Sequence, residues 1–219
     1  MFVPTAEFIP HCISGNVNEF LQLLNNQNSS HTSIELASNL IDTSLSLVKR
    51  QVSPYVMRGL VRAIKQNKRV DIDYVSLTNP NGEGRIIQPY MFVKTGLRWH
   101  LRAFDEKHQQ FRDFVLSRFK GQPELMGDAT HTAEQDNAWQ TILNLSFVPD
   151  PRLNKEQKQV LEQDYQMKGG RLEVPVRAAL AQYLIQEMHV NIKEPFDNPQ
   201  EQQLILINKS EINKWLFSN

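Results

Sequence analysis

Tyr74, Ser76, Arg85, His100, Arg102, Arg112 and Arg118 fall within one stretch of the chain. A guanidinium fork grips a phosphate or carboxylate through two parallel hydrogen bonds, so arginines on neighbouring strands suit the holding of an anion. A phenol, a hydroxyl and an imidazole nearby add hydrogen bonds or a stacking surface. Arg102 and Arg112 are the sharpest candidates, Arg85 and Arg118 the next. The segment RWHLRAFD (98–105) alternates, with Trp99, Leu101 and Ala103 on one side of a strand and His100 and Arg102 on the other. Trp99, Leu101 and Phe114 read as core, and the second face reads as the one that holds something. His100 reads equally well as a structural histidine satisfied inside the fold. Arg58, Arg62 and Lys65 read as a solvated helix face.

Other chemistry finds little support. No P-loop, dinucleotide-binding, zinc-protease or nucleophile-elbow pattern occurs, and the six histidines have no metal-ligand spacing. Asp71 and Asp73 share a strand face but read as solvated or salt-bridged. An enzyme is not expected, nor a cofactor. The single cysteine, Cys12, rules out an internal disulfide, and no apolar run approaches the ~20 residues that cross a bilayer. A reducing, cytoplasmic setting without membrane contact is the expectation.

The chain has 219 residues and no net charge, yet its charge is unevenly spread. Residues 1–48 hold four acids and no Lys or Arg; residues 49–120 hold 15 basic and 6 acidic residues; residues 121–219 hold 9 and 14. A basic module between acidic neighbours is an electrostatic footprint for an anionic partner.

The elements that must position these residues can be read along the chain. Val17, Phe20, Leu21 and Leu24 have helical spacing, and residues 26–33 are loop-like. Residues 34–48 leave strand and coil both open. Ser53-Pro54 is a helix start, followed by an apolar stripe of Val56, Leu60 and Ile64 through Asn67. Strands are expected at 70–76, 85–88, 90–95, 98–104 and 110–116, broken by TNPNGEG (78–84), Pro89, Gly96 and DEKH (105–108). One helix feeding several short strands suggests a small bent sheet or barrel. After a change of pattern at Gly121–Pro123, residues 133–143 read as helix and 146–153 as a Pro-rich connector. Helices at 154–165, 177–188 and 210–217 (capped by Ser210) then alternate with strands at 171–176 and 203–208, as in a small α+β sandwich.

The series DYVS (73–76), Arg85, QPY (88–90), RWHLRAFD and FRDFVLSRF (111–119) resembles the WYL domain family, with WHL (99–101) in place of the naming tripeptide. It is similar to the phage-defence-associated subgroup of WYL regulators, and RLEVPVRAALAQYLIQEM (171–188) is similar to the extension that follows WYL domains. The resemblance implies an α+β protein: an SH3/Sm-like β-barrel, then a ferredoxin-like C-terminal domain, with an N-terminal helical connector. The corresponding divisions are 1–52 for connector or dimerisation, 53–122 for the WYL domain, 123–150 for a linker helix and 151–219 for the extension.

It also implies a ligand sensor within a homodimeric transcription regulator. Such regulators carry a winged helix-turn-helix, absent from this chain; residues 2–21 look like the connector that follows one. The chain is then a fragment or a product that has lost its DNA reader, touching DNA only through that missing domain. The expected ligand is a nucleotide or short nucleic acid on the basic face. Two alternatives stay open: an interaction or dimerisation module without a small ligand, and direct single-strand nucleic-acid binding.

Overall fold

Helix α1 (Pro54–Lys65) begins where Ser53 accepts a hydrogen bond from the Tyr55 amide and Pro54 takes the first turn. Its apolar stripe buries Val56, Leu60 and Ala63 completely. The computed structural model describes residues 50–217, so the expectations for residues 16–48 lie outside the described residues.

Five antiparallel strands follow: β1 (Lys68–Tyr74), β2 (Glu83–Lys94), β3 (Trp99–Asp105), β4 (Gln110–Val115) and β5 (Phe119–Asp128), in the spatial order β4-β3-β2-β1-β5. β4 and β5 lie at opposite edges, yet only the 3₁₀ turn Leu116–Arg118 joins them. In a flat sheet those edges would lie about 19 Å apart, whereas the four Cα steps from Val115 to Phe119 reach at most about 14 Å. The sheet must therefore curl strongly. Val75 donates its amide to Arg118 O and Val115 donates its own to the Tyr74 hydroxyl, tying the turn to the end of β1. α1 packs on this sheet over Val70, Ile72, Tyr74, Leu101, Phe114 and Phe119. Gly59 is part of that fit, since a Cβ there would stand 3.0 Å from the Pro123 ring of β5.

Two strands were concealed by turn-type residues. Pro89 does not end a strand: β2 runs through it with a register shift between Pro89 and Met91, and a bulge tolerates the missing amide hydrogen. β5 passes Gly121 and Pro123, as an edge strand can. The helix expected at 133–143 is short, because α2 (Asn137–Gln140), capped by Asp136, gives way at Thr141 to β6 (Ile142–Pro149). The first half of the expected Pro-rich connector, residues 146–149, belongs to this strand, whose period-two alternation Leu143, Leu145, Phe147 faces a core.

β6 is the centre of a second antiparallel sheet, between β7 (Leu172–Arg177) and β8 (Leu204–Leu206). Helix α3 (Lys155–Asp164) starts with a capping box between Asn154 and Gln157. It is followed by α4 (Ala181–Glu187), α5 (Pro199–Gln202) and α6 (Lys209–Ile212). Ala181, Ile185, Val190 and Ile212 pack with Leu145, Phe147 and Leu204 on one face of that sheet. Ser210 lies inside α6 rather than capping it. The fold is α+β with two antiparallel sheets, and no described helix is long and apolar enough to cross a membrane.

Candidate functional site

β3 lies inside the first sheet and is covered on both faces, so alternation alone does not say which face holds a ligand. Leu101 and Ala103 point into the α1 core, opposite Phe114 and Arg112 of β4. Trp99 departs from expectation: it is 50% exposed, at the strand's first residue beyond the reach of that core.

Asp105 continues the Leu101 face and is fully buried. It accepts from Arg85 Nη1 at 3.2 Å and from the Lys107 amide at 3.1 Å, with His108 Nδ1 at 2.7 Å and Arg112 Nη1 at 3.5 Å. Glu83 pairs with both Arg85 and Lys107. The sheet register causes this gathering: Ile72 stands opposite Arg85, Ile87 opposite Asp105 and Ala103 opposite Arg112. Three permanent cations meet two carboxylates here, with His108 beside them. Arg112 and Lys107 keep 42% and 53% of their side chains exposed. A buried carboxylate thus orients a fan with surplus positive charge.

Tyr74 is a core residue, set edge-on to Phe114 and Phe119, with the Arg85 guanidinium 5.9 Å from its ring. Ser76 has left β1, and its hydroxyl shapes the following turn by accepting from the Asn79 amide. Arg118 sits on the turn tied to Val75.

His100 and Arg102 occupy the opposite face of β3, so the seven candidates do not form one cluster. Gln88 holds residues 130–131 over this face by accepting from the Thr130 and His131 amides. His131 stacks on Phe104 at 3.6 Å. Arg102 is buried: Nε and Nη2 donate to Asp136 at 2.7 and 3.2 Å, and Nη1 to Asp113 at 3.0 Å. Tyr90 donates to Asp136 at 2.6 Å, and Tyr183 of α4 donates to Asp113 at 3.0 Å. Burial works to raise the Asp136 carboxyl, but Arg102 and Tyr90 together hold it below its usual value. Tyr183 is pushed up by burial first and by Asp113 second. Arg102 has its hydrogen-bonding capacity engaged within the fold, in a clamp joining the first sheet to α2 and α4. Sequence reasoning missed Asp105, Asp113, Asp136, His108 and Tyr183. Adjacency of Arg112 and Asp113 on a strand placed them on opposite faces, but nothing local announced Asp136.

Residues 55–122 match the WYL domain family. Residues 142–212 match the family described as BrxR transcriptional regulator, C-terminal dimerization domain. The chain thus carries a WYL domain followed by a domain of the BrxR C-terminal dimerization type. It is 35% identical over 163 residues to a protein of Pseudomonas aeruginosa named DNA-binding transcriptional repressor CapW, covering 74% of this chain and 54% of that one. A protein of the same name from Escherichia coli strain KTE188 is 34% identical over the same shares. The chain thus spans about half the length of these curated relatives. Proteasome accessory factor B/C of Arthrobacter aurescens superposes with a TM-score of 0.37 and 16% identity, over 80% of this chain and 28% of that one, too little to argue from.

In the WYL domain, His100 is the buried group whose titration matters. Its ring lies 5.0 Å from Tyr183, and Nδ1 has no hydrogen-bond partner. Burial pushes its pKa down, and Arg98, Arg118 and Arg50 add to this against Asp113. A base whose folded pKa is depressed contributes full stability above its unfolded value of about 6.5, begins to lose it there and goes on losing it until pH has fallen through the lower folded value. His100→Gln is expected to flatten the loss of unfolding free energy between pH 7.5 and 5.5. Identical slopes for the two proteins in urea titrations would contradict a neutral, buried His100.

Proposed function

We propose that the WYL domain is the sensing part of a dimeric transcription regulator and holds an anionic ligand of nucleotide or short nucleic-acid chemistry at the Asp105 fan. The observation that carries this reading is the charge surplus around a buried carboxylate, with Arg112 and Lys107 partly exposed. Arg85 and Arg112 are the primary contacts, Lys107 and His108 flank them, and Arg118, Ser76 and Tyr74 shape the neighbouring end of β1. His100 and Arg102 belong to the clamp behind the site. The curled first sheet is read as an SH3/Sm-like barrel, and the second sheet with its helices as a ferredoxin-like arrangement, divided near residues 122 and 150. The relatives' name supports a role in repression of transcription through DNA binding. Ligand binding changes operator affinity only to the extent that the two states of the regulator bind the ligand differently.

The test is calorimetric titration of the purified chain with cyclic nucleotides, short oligoadenylates and single-stranded DNA or RNA. Arg112→Ala is expected to weaken the bound probe by about tenfold or more, since hydrogen bonds from a charged donor contribute about 1.5–3 kcal/mol. Its partly exposed position should leave the melting temperature nearly unchanged. A shallow salt dependence, with a slope near −2 for about three cations on a single strand, marks a compact site; a much steeper one marks a long phosphate track. Absence of binding by all probes, or an Arg112→Ala variant with unchanged affinity, overturns the reading and leaves a protein-interaction module.

A further inference from the structure

One atom of His108 has two neighbours with opposite needs. Its Nδ1 lies 2.7 Å from Asp105 Oδ2 and 3.2 Å from Arg112 Nη1. A guanidinium only donates and an ionised carboxylate only accepts, so no one state of Nδ1 suits both. The turn after β3 enforces the meeting: Asp105 accepts from the Lys107 amide, and the chain brings His108 back to the same carboxylate. In a neutral ring the proton sits on one nitrogen. If it is on Nδ1, Asp105 is satisfied, but Nε2, directed away from the carboxylate, offers only a lone pair. If it is on Nε2, Nδ1 accepts from Arg112 and turns a lone pair on Asp105. Only the doubly protonated ring gives Asp105 a donor, releases Arg112 and presents a second N–H outward.

Protonation also changes the charge of the fan. Around His108 stand Glu83 and Arg85 of β2, Asp105 of β3, Lys107 of the same turn and Arg112 of β4, with the Tyr74 ring of β1 beside Arg85. Three permanent cations against two carboxylates leave a surplus of one, which matches a phosphodiester. A charged imidazole makes the surplus two, which matches a phosphomonoester dianion. The His108 side chain is 36% exposed, so its outward nitrogen can meet a ligand together with Arg112.

We propose that the fan takes up a proton on His108 as its anion binds, and that its preferred ligand is the terminal phosphate of a nucleotide or short oligonucleotide rather than an internal phosphodiester. This inference rests on the reading of the fan as an anion site and adds the charge state of the ligand. An anion that binds the protonated ring more tightly than the neutral one must, by linkage, lose affinity as pH rises through the histidine range. The second ionisation of a phosphomonoester, at about pH 6, acts in the opposite direction by adding charge to the ligand as pH rises. The ligand's own titration therefore does not imitate the effect.

Calorimetric titration of the full chain at pH 7.5, repeated in two buffers of different ionisation enthalpy, counts the protons taken up. The probes are one short oligoadenylate in its 5′-phosphorylated and 5′-hydroxyl forms, and inorganic phosphate. The 5′-phosphorylated form is expected to bind the wild type about tenfold more tightly than the hydroxyl form, for one further charge at close range. It should take up roughly half a proton or more, and bind about fivefold more weakly at pH 8 than at pH 6.5. Inorganic phosphate is expected to bind more weakly than the phosphorylated oligoadenylate. His108→Gln should abolish both the proton uptake and the pH dependence, whereas His189→Asn, at an exposed position of the dimerization domain, should keep both. Should the glutamine variant fail to fold, judged by circular dichroism, His108→Asn gives the same reading. Binding without proton uptake, uptake that survives in a folded His108 variant, equal affinity for the two oligoadenylates, or inorganic phosphate binding as tightly as the phosphorylated one overturns this inference and leaves the sensing proposal standing. Failure of every probe to bind overturns both.

Discussion

Arg102→Ala is expected to lower the unfolding free energy by about 3–5 kcal/mol, the cost of leaving buried carboxylates without their cation. The side chain is 7% exposed, and its partners Asp113 and Asp136 are 7% and 2% exposed. Urea titration at pH 7.5 measures the loss, and a second titration near pH 5 identifies its cause. In the wild type, Asp136 is held below its ordinary pKa, so its contribution is fully present above the unfolded value of about 3.9 and disappears as pH falls through the lower folded value. Without Arg102, burial is opposed only by Tyr90 and the Ala138 and Trp139 amides, so the Asp136 carboxyl should titrate higher than in the wild type. The variant's deficit should then shrink towards pH 5, as protonation removes the stranded charge. Replacing the three charges together, by Arg102→Met with Asp113→Asn and Asp136→Asn, should cost less than Arg102→Ala alone, because no uncompensated buried charge remains. A deficit below about 1 kcal/mol at pH 7.5 would mean that the clamp is solvated and contributes as little as a surface ion pair.

The same clamp marks the limit of what sequence alone could disclose. Helix α1 was legible because Ser53, Pro54 and a 3.6-residue stripe agree, and β3 and β4 because alternation and turn residues agree. Leu101 and Phe114 were legible as core for the same reason. Alternation reports which side chains share a face but not what covers that face. A central strand can be buried twice, as β3 is from His100 to Asp105. Arg102 therefore looked like a free anion grip, whereas its partner Asp136 arrives from 34 residues away, on the segment that Gln88 holds down. Trp99 was misread because a strand's first residue can obey the period and still extend past the core. The split of the basic residues into two sites followed from register: Arg112 and Asp113 are neighbours in the chain but face opposite ways. That adjacency is also physically useful. Under the sensing proposal, a ligand that pulled on Arg112 would act on edge strand β4, where the next residue, Asp113, accepts from Tyr183 of the dimerization domain.

Asp105→Ala and Asp105→Asn are expected to part in opposite directions, and their divergence tests whether the fan is an anion site at all. The alanine removes a fully buried acceptor that serves Arg85, the Lys107 amide and His108. It leaves the Arg85 guanidinium, only 9% exposed, with Glu83 as its remaining partner. About 3–5 kcal/mol of stability should be lost, and the anionic probe bound by the wild type should bind more weakly, because Arg85 and Arg112 lose the group that orients them. Asparagine keeps one side-chain oxygen as an acceptor, so it should cost only about 1–3 kcal/mol and leave the fan in place. It also removes one negative charge close to the probe. With Arg112 partly exposed, solvent and salt screen that gain to about 1 kcal/mol, or roughly fivefold tighter binding at low ionic strength. If the carboxylate served only to neutralise Arg85, the probe would bind both variants alike. If orientation matters, calorimetry should rank the affinities asparagine above wild type above alanine, and the advantage of asparagine should fade as salt is raised. An alanine variant binding as tightly as the asparagine one would remove Asp105 as the organiser of the site.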